Sequence, residues 1–225
     1  MKSKKDKNAE SGKKKYRWHH FLYDLTFAFV LFTATIWYRP KKYYISERAK
    51  KKIHGGTLLV SNHVGFCDPV YLVLAVGYRR QRFVATKELF STRFKRFLFG
   101  TVAHCIRIDR DNVASATVHE IVDILKGDGV VTMFPEGHIN VTNKDEMQAF
   151  KSGAVLMALK SGKPIVPVYV HNRKNFFKRL VIVIGEPLEV SLDGSMSPLE
   201  YIDTMTKTLY EKENELKEFY RGHQN

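Results

Sequence analysis

The chain has 225 residues, 44% of them hydrophobic, with 37 Lys and Arg against 23 Asp and Glu and a formal charge of +14. This length and apolar content suit one globular domain with a real core and exclude wholesale disorder. The positive balance points to an anionic partner: nucleic acid, membrane or phosphorylated substrate. Two cysteines, Cys67 and Cys105, are too few for a disulfide framework or a Cys-based zinc site, and read as reduced thiols in a cytosolic setting.

Residues 1–17, MKSKKDKNAESGKKKYR, hold nothing apolar to bury and read as a disordered basic arm. Residues 18–40 follow as WHHFLYDLTFAFVLFTATIWYRP, in which the stretch from Leu25 to Tyr38 is uninterrupted by charge. A full membrane span needs about 20 such residues, so this one predicts a buried or interfacial helix. Trp18, Tyr23, Trp37 and Tyr38 bracket it, as amphipathic aromatics do at a headgroup boundary. Arg39, Lys41, Lys42, Arg48 and Lys50 to Lys52 make the second flank basic as well, which predicts that both flanks stay on the cytoplasmic side. A monotopic helix on an anionic membrane surface is the expectation, ahead of a crossing helix or a signal peptide. Trp37-Tyr38-Arg39 is poor cleavage context for the latter.

From residue 41 to 225 the chain reads as one domain. Short apolar runs predict buried strands at TLLVSNH, QRFVAT, CIRID, VVTMFPEG, PIVPVYV and LVIVIGEP. Helices are predicted between and after them over about 69–78, 89–99, 112–126, 150–161 and 198–219. The last carries Leu199, Ile202, Met205, Leu209, Leu216 and Phe219 at helical spacing. Strands alternating with helices define an α/β fold with a mostly parallel central sheet flanked by helices.

Two stretches carry candidate chemistry. In SNHVGFCDPV, His63 ends a predicted strand and Asp68 precedes Pro69, the preferred arrangement for a cap and first turn of a helix. A turn through residues 64–67, with Gly65 supplying backbone freedom, returns the carboxylate to the imidazole. A carboxylate on one ring nitrogen makes the other a base for a hydroxyl proton. Read alone, the stretch fits equally a helix cap beside an ordinary loop histidine. In VVTMFPEGHIN, a strand runs into Pro135-Glu136-Gly137 and presents a carboxylate at a strand end, where α/β sheets bind ligands. FKSGA, Phe150 to Ala154, then opens a helix whose N–H groups suit an anion.

Taken in order, Asn62-His63-x4-Asp68, Ile106 to Arg110, Phe134-Pro135-Glu136-Gly137 and Ile165 to Val168 resemble the four sequence blocks of the glycerolipid acyltransferases. The resemblance covers about residues 55–190. It implies acyl transfer from a thioester, acyl-CoA or acyl carrier protein, to the hydroxyl of a lysophospholipid, 1-acyl-sn-glycerol-3-phosphate foremost, giving phosphatidic acid. It also implies His63 as general base, Asp68 as its orienting partner and Asn62 and Pro135 as supports. Glu136, Gly137 and Lys87 are placed at the acceptor by the same resemblance, with Arg110 as a nearby cation and His138 as a partial stand-in for one. No cofactor, metal or nucleic-acid partner is expected. The chain departs from the family after Gly137, where His138-Ile139-Asn140 replaces the usual Thr-Arg-Ser and its phosphate-binding arginine. Other classes fit less well: a hydrolase lacks a G-x-S-x-G elbow, and a nucleic-acid module lacks any recognition motif.

Overall fold

The computed structural model describes residues 21, 23–109, 114–140, 146–171, 178–192, 194 and 196–223. The basic arm over 1–17 and the start of the apolar segment lie outside them. Helix α1 spans residues 23–38. Strands β1 (Lys41–Tyr44) and β2 (Thr57–Ser61) follow, then helix α2 (Asp68–Ala75), β3 (Gln81–Thr86) and the single-turn helix α3 (Arg93–Lys95). After these come β4 (Ile106–Ile108), α4 (Ser115–Lys126), β5 (Val130–Met133), α5 (Gly153–Ser161), β6 (Ile165–His171), β7 (Val181–Ile184) and α6 (Pro198–Gly222).

The strands form one seven-stranded sheet in the order β1-β7-β6-β2-β5-β3-β4. Every pairing is parallel except β6 with β7. The sheet is covered on both faces, so its strands are apolar at successive positions rather than alternately. Leu58 and Val60 pack with Ile121 and Leu125 of α4, Val155 of α5 and Leu209 of α6. Leu59 points the other way, into a cluster with Leu72 and Leu74 of α2 and Ala34 of α1. Leu58 and Leu59 are both fully buried, each contributing about 1.5–3 kcal/mol relative to exposure.

Two expectations needed correction. Lys41 and Lys42, read as lipid-facing flank, form edge strand β1, and the Lys42 ammonium donates to the Ala75 carbonyl at the end of α2, 3.1 Å away. The 89–99 helix is broken instead: a 3₁₀ turn (Lys87–Phe90), then α3 with Thr92 capping it, then a π-helical stretch (Arg96–Val102). Helix α1, expected to be buried or interfacial, packs against the domain along one face. Tyr23 and Ala34 on its inner face are buried, and the Tyr23 hydroxyl donates to the Gln81 carbonyl at 2.9 Å. The fully buried Gln81 side chain in turn donates to the carbonyls of Leu72 and Val76 and accepts from the Thr132 hydroxyl. One amide thus ties β3 to α2 and β5, and through the backbone to α1. No helix among the described residues is long and apolar enough to cross a membrane.

Candidate active site

His63 and Asp68 meet at the carboxyl end of central strand β2. The imidazole Nδ1 lies 2.6 Å from Asp68 Oδ2, and the Asp68 side chain is completely buried. A carboxylate only accepts hydrogen bonds, so Nδ1 carries the proton and Nε2 is left as the basic nitrogen. The Gly65 N–H donates to the same Oδ2 at 2.9 Å. Asp68 was expected to cap α2 as well, and it does not. Cys67 occupies the cap position without a side-chain bond, while Asp68 is the first helical residue with its carboxylate turned back into the loop. Nor does the turn depend on a left-handed glycine. Gly65 is not among the positive-φ residues, and a Cβ there would meet nothing within 4 Å.

The backbone of His63 is held from both sides. Its N–H donates to Glu136 Oε1 at 2.7 Å, and its carbonyl accepts from the Asn140 N–H at 3.1 Å. The ring stacks on Phe134, with centroids 4.3 Å apart and planes 14° from parallel. One residue earlier, Asn62 is buried and joined to β6 by two bonds: Nδ2 to the Val170 carbonyl at 3.0 Å, and Oδ1 from the Val170 N–H at 2.8 Å. The Asn62 N–H donates to Glu213, a fully buried carboxyl from α6. The loop is therefore tied to α6 by the Asn62 N–H, to β6 by the Asn62 side chain, and to the segment after β5 by the His63 N–H and carbonyl.

Glu136, expected at the acceptor, has both oxygens occupied by backbone N–H groups, His63 on Oε1 and Gln148 on Oε2 at 2.9 Å. It braces the site from behind. Burial pushes the Glu136 carboxyl up from its ordinary range, with those N–H bonds opposing the shift. Burial holds the Glu213 carboxyl still further up; the Asn62 N–H opposes this and the nearby Glu136 adds to it.

His63 opens onto a cavity of about 860 Å³. Phe27 and Val30 of α1, Val73 of α2, Phe83 of β3, Phe99 of the π-helical stretch and Met157 of α5 give it an apolar wall. Gly137, His138 and Lys151 also line it, and Pro135 supports the turn beside them. Gly137 has φ of +79°, which an L side chain rarely adopts, and a Cβ there would stand 3.1 Å from the Lys151 ammonium. Lys151 thus lies against the glycine after which the family's arginine would stand. Lys87 is instead ion-paired with Asp109 at 2.7 Å. Arg110 lies outside the described residues. Arg79 bonds the carbonyls of Ile53, Gly55 and Asp128 at the amino ends of β2 and β5, away from His63. Cys105 faces the cavity as an inert thiol, pushed up to about 11 by burial.

Sequence reasoning missed Lys151, Asn140 and Glu213. Lys151 stood inside FKSGA, noted only for its helix start. Glu213 had a signal: Leu209, Glu213 and Leu216 lie at i, i+4 and i+7, so one carboxylate sits on the apolar stripe of α6.

A carboxylate-held histidine opening on an apolar cavity, at the strand ends of a mostly parallel sheet, is an arrangement able to take a proton from a hydroxyl beside an apolar substrate. The comparisons with known proteins carry this further. The Acyltransferase family model matches residues 41–171, more than half of the chain, and the chain belongs to that family. It is an O-acyltransferase. The 1-acyl-sn-glycerol-3-phosphate acyltransferase of Bacillus subtilis is 26% identical over 167 residues, 72% of this chain and 81% of that one. The enzyme of the same name from Borreliella burgdorferi is 29% identical over 171 residues, 75% of this chain and 64% of that one. Among solved structures, the 1-acyl-sn-glycerophosphate (LPA) acyltransferase PlsC from Thermotoga maritima shares the fold, with a TM-score of 0.63 at 18% identity over 92% of this chain and 83% of that one.

Proposed function

We propose that this acyltransferase moves a fatty acyl group from a thioester, on coenzyme A or acyl carrier protein, to the free hydroxyl of 1-acyl-sn-glycerol-3-phosphate, giving phosphatidic acid. The observation that carries the reading is the His63–Asp68 pair at 2.6 Å on the wall of an apolar cavity. The names of the relatives supply the acceptor.

In the mechanism His63 Nε2 takes the proton of the acceptor hydroxyl while Asp68, on Nδ1, balances the charge that develops on the ring. The oxygen attacks the thioester carbonyl, the tetrahedral intermediate collapses with loss of the thiolate, and the proton on His63 passes to that sulfur. The new ester bond replaces the thioester bond, so atoms and protons balance without a covalent enzyme intermediate. The acyl chain lies in the apolar cavity. Lys151, with His138 beside it, supplies the positive charge for the acceptor phosphate that the missing arginine leaves unprovided, and the free N–H groups at the start of α5 add to it. Helix α1 keeps the enzyme on the cytoplasmic face of an anionic membrane with Phe21, Leu25, Phe29, Phe32 and Ile36 turned outward.

Purified protein is given an acyl thioester, and thiol release is followed with and without lysophosphatidate. Acceptor-dependent release with phosphatidic acid as product is expected; equal release without acceptor would make the enzyme a thioesterase. His63→Ala is expected to lose about 10²–10⁴-fold in acceptor-dependent rate, and full retention of rate would overturn the assignment of the base.

A further inference from the structure

The stretch that breaks the expected 89–99 helix has two faces. Leu89, Phe99 and Val102 line the cavity. Phe94 and Phe97 point away from it, 71% and 53% exposed, with Leu98 exposed beside them. Arg93, Lys95 and Arg96 are interleaved with these side chains and are themselves exposed, and from Phe90 to His104 the chain contains no Asp or Glu. The backbone geometry is what sorts the residues. A π-helical stretch from Arg96 to Val102 adds a residue to the turn and so shifts which side chains face inward. Large apolar side chains exposed together and rimmed by cations mark an interaction surface. Helix α1 repeats the pattern across the same cavity: Tyr23, Phe27 and Val30 line it while Phe29 and Phe32 are exposed. Two elements that wall one cavity therefore both turn aromatic residues outward.

We propose that Arg93–Leu98 is a second membrane-contacting element. Phe94 and Phe97 enter the acyl region of an anionic bilayer and Arg93, Lys95 and Arg96 lie among the lipid headgroups, so that a wall of the acyl cavity stands on the membrane that supplies its lipid. The charge pattern selects the occupant. Three cations alternating with phenylalanines, in a run from Phe90 to His104 that holds no Asp or Glu, match the composition of interfacial segments that bind anionic lipid. The proposal rests on the acyl-transfer reading for its purpose, since a lipid acceptor with its chain in the bilayer would reach His63 along this wall.

The test uses the full chain, sedimented with phosphatidylcholine vesicles that either contain or lack phosphatidylglycerol. F94S/F97S is expected to reduce binding to the anionic vesicles by about a hundredfold, taking roughly tenfold for each large apolar side chain withdrawn from lipid. R93Q/K95Q/R96Q is expected to weaken binding to anionic vesicles and leave binding to neutral ones unchanged. With F94S/F97S, turnover of acceptor embedded in vesicles should fall with binding, while turnover of a short-chain monomeric acceptor and the thermal midpoint stay at wild-type values. Unchanged vesicle binding by F94S/F97S overturns the proposal. So does a loss by the charge variant that is equal on neutral and anionic vesicles. An equal loss of turnover on the monomeric acceptor also overturns it, because the segment then serves the cavity and not the membrane. If the wild type acylates no lysolipid at all yet its vesicle binding depends on Phe94 and Phe97, the functional reading fails and this one stands.

Discussion

Replacing Asp68 by Asn separates charge from position at the catalytic pair. In the folded protein Oδ2 accepts from two donors at once, His63 Nδ1–H at 2.6 Å and the Gly65 N–H at 2.9 Å. Both donors require an acceptor there, so the asparagine must place its oxygen at the Oδ2 position. Its amide nitrogen then falls where Oδ1 lies buried without a partner. The imidazole keeps its tautomer and loses only the negative charge beside it. A hydrogen bond to an ionised partner contributes about 1.5–3 kcal/mol against about 0.5–1.5 for a neutral one, so the imidazolium formed in the transition state loses roughly 1–2 kcal/mol. At about 1.4 kcal/mol per tenfold, kcat falls on the order of 5- to 30-fold. The orphaned amide costs about 1–3 kcal/mol of stability besides. Asp68→Ala removes the acceptor for both donors, and its kcat is expected near that of His63→Ala. The assay is thiol release at saturating thioester and acceptor, alongside urea unfolding of each variant. Asp68→Asn at the wild-type rate would refute the electrostatic part of the reasoning, and Asp68→Asn as slow as Asp68→Ala would refute the pinned geometry.

Glu213→Gln tests the buried carboxyl of α6. Because the folded value lies above the ordinary 4.5, the native chain is penalised as pH rises from that value, by up to about 1.36 kcal/mol per pH unit until the raised value is passed. The substitution should leave stability unchanged near pH 4 and raise it as pH climbs above the ordinary carboxyl range in urea titrations; an equal effect at low and neutral pH would contradict the shift. Lys151→Ala should raise KM for a phosphorylated acceptor about tenfold or more, as expected for a charge-assisted bond of about 1.5–3 kcal/mol, with the thioester KM unaltered. A rise in both would argue against a phosphate role. Gly65→Ala should be nearly silent in both activity and thermal midpoint. Gly137→Ala, forced to φ of +79° against Lys151, should cost about 1–3 kcal/mol of stability, and comparable behaviour of the two variants would contradict the backbone reading.

How much of this was legible in the sequence depended on the range of the interaction concerned. QRFVAT is β3 to the residue, and the other five predicted strands and four of the predicted helices occur with shifted ends, because apolar runs and periodicity are local properties. The 89–99 helix failed because Ser91 and Thr92 prefer to cap, and a period of 3.6 cannot anticipate a π turn. KKYY was read by its charge, yet an edge strand next to β7 keeps its lysines at the surface, or half-buried on a carbonyl, without cost to the sheet. Glu136 was found by its motif, while the two backbone N–H groups that its oxygens face are visible only in the fold.

By itself the sequence determined the α/β alternation, the His63–Asp68 spacing that one short loop can close, and the ordered blocks that mark the family. Tertiary structure decided the rest. Asn62 is held by Val170, 108 residues away, and by Glu213, 151 residues away. Lys151 reaches Gly137 across a segment of intervening chain, and α1 closes a cavity whose other walls include α2, β3, α5 and the π-helical stretch. These contacts join residues distant in the chain, and which of them meet is set by strand order and helix packing, neither of which has a local signature.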